Sequence, residues 1–232
     1  MAKRQQNLKK YFADRNPARF IVRLFAEGET EAVYLQKIAA LHNVRVSVVQ
    51  KVSSPVQLLS NAVKWVVSNE KLLRQDNGQN RIWVIFDDDA KARDMKEVVR
   101  IWKTCPDLCM QFCKIRDRNR CEHGDLLERI NVGFMTPCIE IWGLMCMDGI
   151  NLKVSDRVYP ADRHKIQSLL HRQMPTYIHD GHPYFEIGKM KGWQQACNRA
   201  AKWAQSFGRF PACIRATRYA GIAPLVREIM EG

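Results

Sequence analysis

The 232 residues are 46% hydrophobic and 26% charged, a balance that excludes global disorder and fits one globular unit with an appendage. No apolar stretch reaches the roughly 18 residues of a membrane span and no secretory signal is recognisable, so we expect a cytoplasmic protein. The formal net charge of +13 predicts a polyanionic partner, nucleic acid or a protein that handles it, rather than an inert basic surface.

Three apolar runs, each followed by a helical pattern, occupy the N-terminal half of the chain. The predicted strands are Phe20–Ala26, Val44–Val49 and Ile82–Phe86, and the predicted helices start at Thr30, Ser54 and Ala92, the second of them ending near Leu73. Strands that alternate with helices predict a parallel sheet joined by right-handed crossovers. A fourth strand is predicted at Cys109–Ile115. Residues 1–18 precede this core as a basic arm, which is either a partner-binding segment or a solvated tail.

The pattern changes from residue 134 onwards. A helix that starts near Pro137 is apolar on almost every side, yet Glu140 stands in its first turn, where a buried carboxylate is costly without a partner. Only helices are predicted after it, at Val158–Arg172, Lys189–Phe207 and Ile222–Met230. We therefore predict a core at residues 19–148 and a helical C-terminal extension at residues 149–232.

Carboxylates follow two of the predicted strands, at the edge where open α/β sheets bind ligands. Glu27 follows the first strand, and Asp87, Asp88 and Asp89 follow the third. Residues two apart can turn their carboxylates to the same side, so Asp87 and Asp89, with Glu27 across the crevice, can hold Mg²⁺, with Mn²⁺ as a substitute. The alternative is that the triplet only caps the following helix, for which one aspartate would suffice.

Two sets of basic residues are candidates for contacts with a phosphate backbone. Arg116, Arg118 and Arg120 follow the predicted fourth strand. Lys189 and Lys191 stand at the start of a later helix, where a cation could stabilise charge on a phosphate, although solvated lysines are the alternative.

The eight cysteines are irregularly spaced and indicate reduced thiols rather than disulfides in a cytoplasmic protein. A cluster of Cys105, Cys109, Cys113, Cys121 and His123 raises the question of zinc. Its spacing is not the paired Cys-x-x-Cys of structural zinc sites, which favours core thiols over metal ligands.

Three segments resemble motifs of the RloB family. They are EGETEAVYL at Glu27–Leu35, FDDDA at Phe86–Ala90 and TPCIEIWGLM at Thr136–Met145. The first two alone also resemble the Toprim fold of topoisomerases, bacterial primases and OLD-type nucleases, and the third is the specific one. The resemblance covers Phe20–Met147 well and the last eighty residues loosely. An insertion at about Arg116–Gly133 departs from the family's usual form.

The resemblance implies an α/β, Rossmann-like Toprim core with a mainly parallel sheet and a Mg²⁺-dependent endonuclease of bacterial anti-phage defence, typically encoded beside an ABC-type ATPase. By position, Glu27 would be the general acid/base or a metal ligand, Asp87 and Asp89 metal ligands, and Glu140 a further acidic member. The roles of Glu31 and Asp88 stay open. So do the target, RNA such as tRNA or DNA, and the formation of a homo-oligomer. The alternative is a non-catalytic Toprim module that binds nucleic acid or its partner.

Overall fold

The computed structural model describes residues 18–51, 54–88, 92–103, 123–136, 138–147, 163–178, 185–207 and 219–231. The strands are β1 (Ile21–Ala26), β2 (Arg45–Lys51), β3 (Asn80–Asp87), β4 (Ile130–Thr136) and β5 (Tyr219–Ala220). The helices are α1 (Glu29–Leu41), α2 (Pro55–Ser68), α3 (Glu70–Gln75), α4 (Ala92–Lys103), α5 (Gly124–Leu127), α6 (Glu140–Met145), α7 (Arg163–Gln173), α8 (Trp193–Phe207) and α9 (Ala223–Glu231), with a 3-10 turn at Ile187–Lys189. None of these helices is long and apolar enough to cross a membrane.

The sheet has the order β2-β1-β3-β4-β5, with the first four strands parallel and β5 antiparallel to β4. The chain leaves β1 toward β2 on one side and leaves β3 toward β4 on the other. The strand order therefore reverses between β1 and β3, and at such a reversal the loops after the two strands diverge and leave a crevice. This part of the fold places the ends of β1 and β3 at the ligand-binding position of an open α/β sheet.

The helices fall into two packed groups, as expected when right-handed crossovers run in both directions along a sheet. One group contains α2, α3, α4 and α5, and the other contains α1, α6, α7, α8 and α9. The central strand β3 is buried along its whole apolar length, Ile82–Phe86, which explains why its sequence is a continuous apolar run rather than an alternating one. The α/β, Rossmann-like class predicted from the sequence is confirmed.

The α2 helix begins and ends by side-chain hydrogen bonding. Ser54 is its N-cap and accepts a hydrogen bond from the Gln57 N–H at 3.4 Å, with Pro55 in the first turn, as the sequence predicts. The helix does not continue to Leu73, because Asn69 donates its side-chain amide to the Trp65 carbonyl at 2.8 Å and ends the first segment before α3 begins.

Two predictions about the second half of the chain are wrong. The strand that pairs with β3, Ile130–Thr136, is missing from the sequence prediction, and its first residues fall inside the segment interpreted as an insertion. The C-terminal segment is not all helical, because β5 pairs with the end of β4. The strand predicted at Cys109–Ile115 lies outside the described residues.

The last helix, α9, is part of the core. Leu225, Val226 and Ile229 are fully buried. Arg19, just before β1, donates to the carbonyls of Glu228 and Ile229 at 3.2 and 3.0 Å. The two ends of the described chain are therefore fixed to each other at the amino edge of the sheet.

Candidate functional site

Glu27 and Asp87 meet at the carboxyl edge of the sheet. The Glu27 N–H donates to the Ile85 carbonyl at 3.0 Å, which extends the pairing of β1 with β3 by one residue. The Glu27 carboxylate then accepts a hydrogen bond from the Asp87 N–H at 3.1 Å. The structure thus brings together two acidic residues that are far apart in the sequence, at the crevice that the reversal of strand order creates.

Asp87 is a buried carboxylate whose charge is poorly compensated by the described residues. The residue is 6% exposed, and its Oδ1 atom is buried without a hydrogen bond to any described residue. Burial raises the pKa of Asp87 well above its usual range, and the negative charges of Glu31, Glu140 and Glu27 raise it further, against the opposing charge of Arg163. Four carboxylates are therefore close enough to repel one another.

Gly28 leaves space for the carboxylate of Glu31, one of the four carboxylates of this site. A Cβ atom on Gly28 would lie 2.5 Å from Oε2 of Glu31, so a larger residue would displace that carboxylate from its position over the turn between β1 and α1. Glu31 is buried in the first turn of α1, where the helix dipole favours a negative charge. The glycine of the Glu-Gly pair thus lets the Glu31 carboxylate keep this position.

Glu140 is fully buried in the first turn of α6. Tyr177 donates its hydroxyl to Oε1 of Glu140 at 2.6 Å, and Gln167 donates its side-chain amide to the same atom at 3.2 Å. Burial and the nearby Glu140 carboxylate raise the pKa of Tyr177, which keeps the hydroxyl protonated as a donor. These contacts provide the partner that the sequence requires for this carboxylate.

Asp88 and Asp89 follow Asp87 in the acidic triplet. Asp88 accepts a hydrogen bond from the Thr136 hydroxyl at 3.0 Å, so its carboxylate is attached to the end of β4. Asp89 lies outside the described residues. The paired use of Asp87 and Asp89 as metal ligands stays a prediction.

The basic residues predicted from the sequence do not contact the carboxylates through any described interaction. Lys189 pairs with Glu186 at 2.9 Å, and Lys191 is exposed. Arg116, Arg118 and Arg120 lie outside the described residues, as do the four cysteines of the zinc alternative.

Three residues of this site carry no sequence motif. Arg163 of α7 lies with its Nη2 atom 4.0 Å from Oδ2 of Asp87, and Gln167 and Tyr177 hold Glu140. The sequence signalled only that Glu140 needs a partner, because a charge in an apolar helix is costly, and it gave no position for that partner.

The donor set suits a hard divalent cation, since such ions bind carboxylate oxygens and a cation would offset the repulsion around Asp87. Within the ranges that the structure describes, however, no three His, Cys, Asp or Glu side chains are arranged to hold a metal ion. The carboxylates therefore fit a cation in their chemistry, and the described residues do not by themselves complete its coordination.

The fold and the site define an α/β, Rossmann-like protein with a carboxylate cluster where the strand order reverses. The sequence model of the RloB-like protein family matches residues 22–229, and the chain belongs to this family. The match includes α7 and Tyr177, so it extends well beyond the three motifs recognised in the sequence. No curated protein and no solved structure matches the chain.

Proposed function

We propose that the chain is a Mg²⁺-dependent, Toprim-type nuclease that cleaves phosphodiester bonds in nucleic acid as an effector of bacterial anti-phage defence. The observation that carries the proposal is Oδ1 of Asp87, which is buried among three other carboxylates without a hydrogen bond to any residue in the described ranges. A carboxylate in this state is costly unless a cation compensates it. Oxygen-ligated divalent cations are the usual catalysts of phosphodiester chemistry.

Glu27, Asp87 and Asp89 would hold the ion. Bound there, Mg²⁺, or Mn²⁺ in its place, would polarise the scissile phosphate and offset the charge that develops on the leaving oxygen. Glu27 is held at the strand edge by the Asp87 N–H, so its carboxylate is positioned to take a proton from the attacking group. Glu140, fixed by Tyr177, adds negative charge that favours the cation.

The net charge of +13 supports a nucleic-acid substrate, because the excess positive charge of the chain would attract a polyanion toward an acidic site that repels it locally. The substrate is RNA, with tRNA as one candidate, or DNA. Membership of the RloB-like family supports a partner ABC-type ATPase. The gene beside that of this chain can be examined for such an ATPase, and co-expression and co-purification of the two proteins test the partner.

A non-catalytic module that binds nucleic acid or its partner is the second candidate. It is supported by the net charge of +13, which would hold nucleic acid whether or not the site cuts it. Cleavage distinguishes the two candidates, since a binding module retains nucleic acid without cutting it.

The test incubates the wild type, Glu27→Ala, Asp87→Ala and Asp87→Asn with total RNA and with phage DNA, with Mg²⁺ and with a chelator. The matched control is Asp125→Ala, which removes a carboxylate that is 63% exposed. We expect cleavage of one nucleic acid only with Mg²⁺, a loss of about 10²-fold or more in each site variant, and wild-type activity in the control. Full activity in both the Glu27 and the Asp87 variants would exclude catalysis at this site, and binding without cleavage would support the second candidate.

A further inference from the structure

Arg163 brings a positive charge to Asp87, a buried carboxylate of the site. Its Nη2 atom lies 4.0 Å from Oδ2 of Asp87, a distance too long for a hydrogen bond. The Arg163 side chain is 24% exposed, whereas that of Asp87 is 9% exposed. The guanidinium therefore faces a buried carboxylate on one side and remains accessible to solvent on the other.

The helix that carries Arg163 is held firmly in place. Ile166 and Leu170 of α7 are buried, and Leu170 packs against α6 at Gly143, where a Cβ atom would lie 3.2 Å from the Leu170 side chain. One turn after Arg163, Gln167 donates to Glu140 of α6 at 3.2 Å. The backbone beneath Arg163 is thus fixed relative to the carboxylates, and its partly exposed guanidinium is positioned beside Asp87.

A phosphate group that approaches four carboxylates is repelled unless positive charge lies beside them. A guanidinium meets this requirement well, because its planar donors match two phosphate oxygens at once. We infer that Arg163 is a substrate-binding residue, whose guanidinium contacts a phosphate of the nucleic acid next to the carboxylates. This inference rests on the proposed function and assigns one of its binding contacts to a residue outside the sequence motifs.

The experiment compares the wild type with Arg163→Gln and Arg163→Lys. The matched control is Arg172→Gln, which removes an exposed arginine from the same helix. Binding of labelled RNA and DNA oligonucleotides is measured with Ca²⁺ in place of Mg²⁺ over a range of salt, and KM and kcat are measured with Mg²⁺. Melting temperatures without nucleic acid show whether each variant folds.

We expect Arg163→Gln to weaken binding about tenfold and to raise KM, with the slope of log affinity against log salt reduced by about 0.7 to 0.9, the value for one lost phosphate contact. Arg163→Lys, which keeps the charge, restores part of the affinity but not the two-oxygen contact. Arg172→Gln changes the affinity by about twofold or less, since an exposed charge away from the substrate is screened. An arginine that served only the fold would lower the melting temperature and leave the salt slope unchanged.

The outcomes separate this inference from the proposed function. A wild-type enzyme that cleaves, together with an Arg163→Gln variant of unchanged affinity, KM and salt slope, overturns the inference and leaves the function standing. Arg163-dependent binding without cleavage by the wild type supports the inference and overturns the nuclease. A wild type that binds neither oligonucleotide overturns both. If Arg163→Gln does not fold, the Arg163→Lys variant decides, and its wild-type affinity and KM would overturn the inference.

Discussion

At Asp87, burial and the charges of Glu31 and Glu140 oppose ionisation in the metal-free protein. Asn has the same shape without the charge. We therefore expect Asp87→Asn to raise the stability of the metal-free protein at neutral pH by about 1 kcal/mol, which corresponds to roughly 2 to 4 °C in melting temperature for a chain of this size. Thermal unfolding in a chelator measures this gain.

The same substitution removes a proposed metal ligand. Magnesium at 100 times its dissociation constant would stabilise the wild type by about 2.7 kcal/mol, and Asp87→Asn should lose this response. Asp125→Asn, which neutralises an exposed carboxylate, should retain it. An unchanged magnesium response in Asp87→Asn would argue against Asp87 as a ligand.

Tyr177 positions Glu140 through the 2.6 Å hydrogen bond from its hydroxyl. Tyr177→Phe leaves the ring packing in place and removes a donor from a buried carboxylate, which we expect to cost about 1 to 3 kcal/mol in the free energy of unfolding. The effect should shrink in a Glu140→Gln background, because the two residues act through one contact. Urea unfolding of the four proteins of this cycle provides the measurement.

A buried tyrosine outside the site controls for the loss of a hydroxyl. The hydroxyl of Tyr34 accepts a hydrogen bond from the Trp142 indole at 2.8 Å. Tyr34→Phe should also destabilise the protein, but its effect should be the same with Glu140 or Gln at position 140. Equal coupling of Tyr34 and Tyr177 to position 140 would contradict a specific role for Tyr177.

At the scale of elements, the turn between β5 and α9 decides whether the C-terminal segment joins the sheet. The Gly221 N–H donates to the Phe134 carbonyl at 2.9 Å, and a Cβ atom on Gly221 would lie 2.6 Å from that oxygen. The oxygen belongs to the backbone of β4, so no side-chain rotation can relieve this contact. We expect Gly221→Ala to destabilise the protein by about 1 to 3 kcal/mol in urea unfolding.

Gly188 offers the matched control, because a Cβ atom there meets nothing within 4 Å. Gly188→Ala should change the free energy of unfolding by about 0.5 kcal/mol or less. If Gly221→Ala were as stable as Gly188→Ala, the close approach of β5 and its turn to β4 would be wrong.

The strands that the sequence predicts correctly are those with a strong local pattern of apolar or β-branched residues, and β2 is among them although it is only half-buried. The strand β3 is a continuous apolar run inside the covered sheet, and the apolar run of β1 is interrupted only by Arg23. The strand β4 contains Asn131 and Gly133 in its first half, which weakens the apolar pattern, and β5 has only two residues. A pattern of hydrophobic residues cannot identify a strand of that length.

The residues of the candidate site also divide into those that the sequence predicted and those that it did not. Glu27, Asp87 and Glu140 were found because each stands in a recognisable motif at the end of a strand or the start of a helix. Arg163 of α7 and Tyr177, which follows α7, could not be found, because they reach the carboxylates only through the packing of this segment on α6. Residues that a fold recruits from a separate helix leave no local trace in the sequence.

On the scale of the whole molecule, the carboxylates at the two edges of the sheet differ in how well their negative charge is compensated. At the carboxyl edge the carboxylates repel one another. At the amino edge, Asp76 joins α3 to β3 and is satisfied on both oxygens. It accepts hydrogen bonds from the N–H of Asn80 at 2.9 Å, the N–H of Gly78 at 3.0 Å and the Arg129 guanidinium at 2.9 Å. The charge of Asp76 is thus compensated at the edge opposite the candidate site.

Asp76 should therefore govern part of the acid unfolding of the protein. Burial alone would raise the pKa of Asp76, but the hydrogen bonds from Arg129 and Asn80 outweigh it and lower the pKa from 3.8 to about 2. Because the folded-state pKa is depressed, the stabilisation is present above the unfolded-state pKa and is lost as the pH falls from about 4 through about 2. The side chain is only 5% exposed, so the contribution at neutral pH is about 2 kcal/mol.

Asp76→Asn should lose this amount at neutral pH and show a flatter decline in stability below about pH 4 in urea unfolding. Asp125→Asn, whose carboxylate is exposed, should follow the wild-type curve, and parallel curves for Asp76→Asn and the wild type would show that the network does not carry the acid sensitivity.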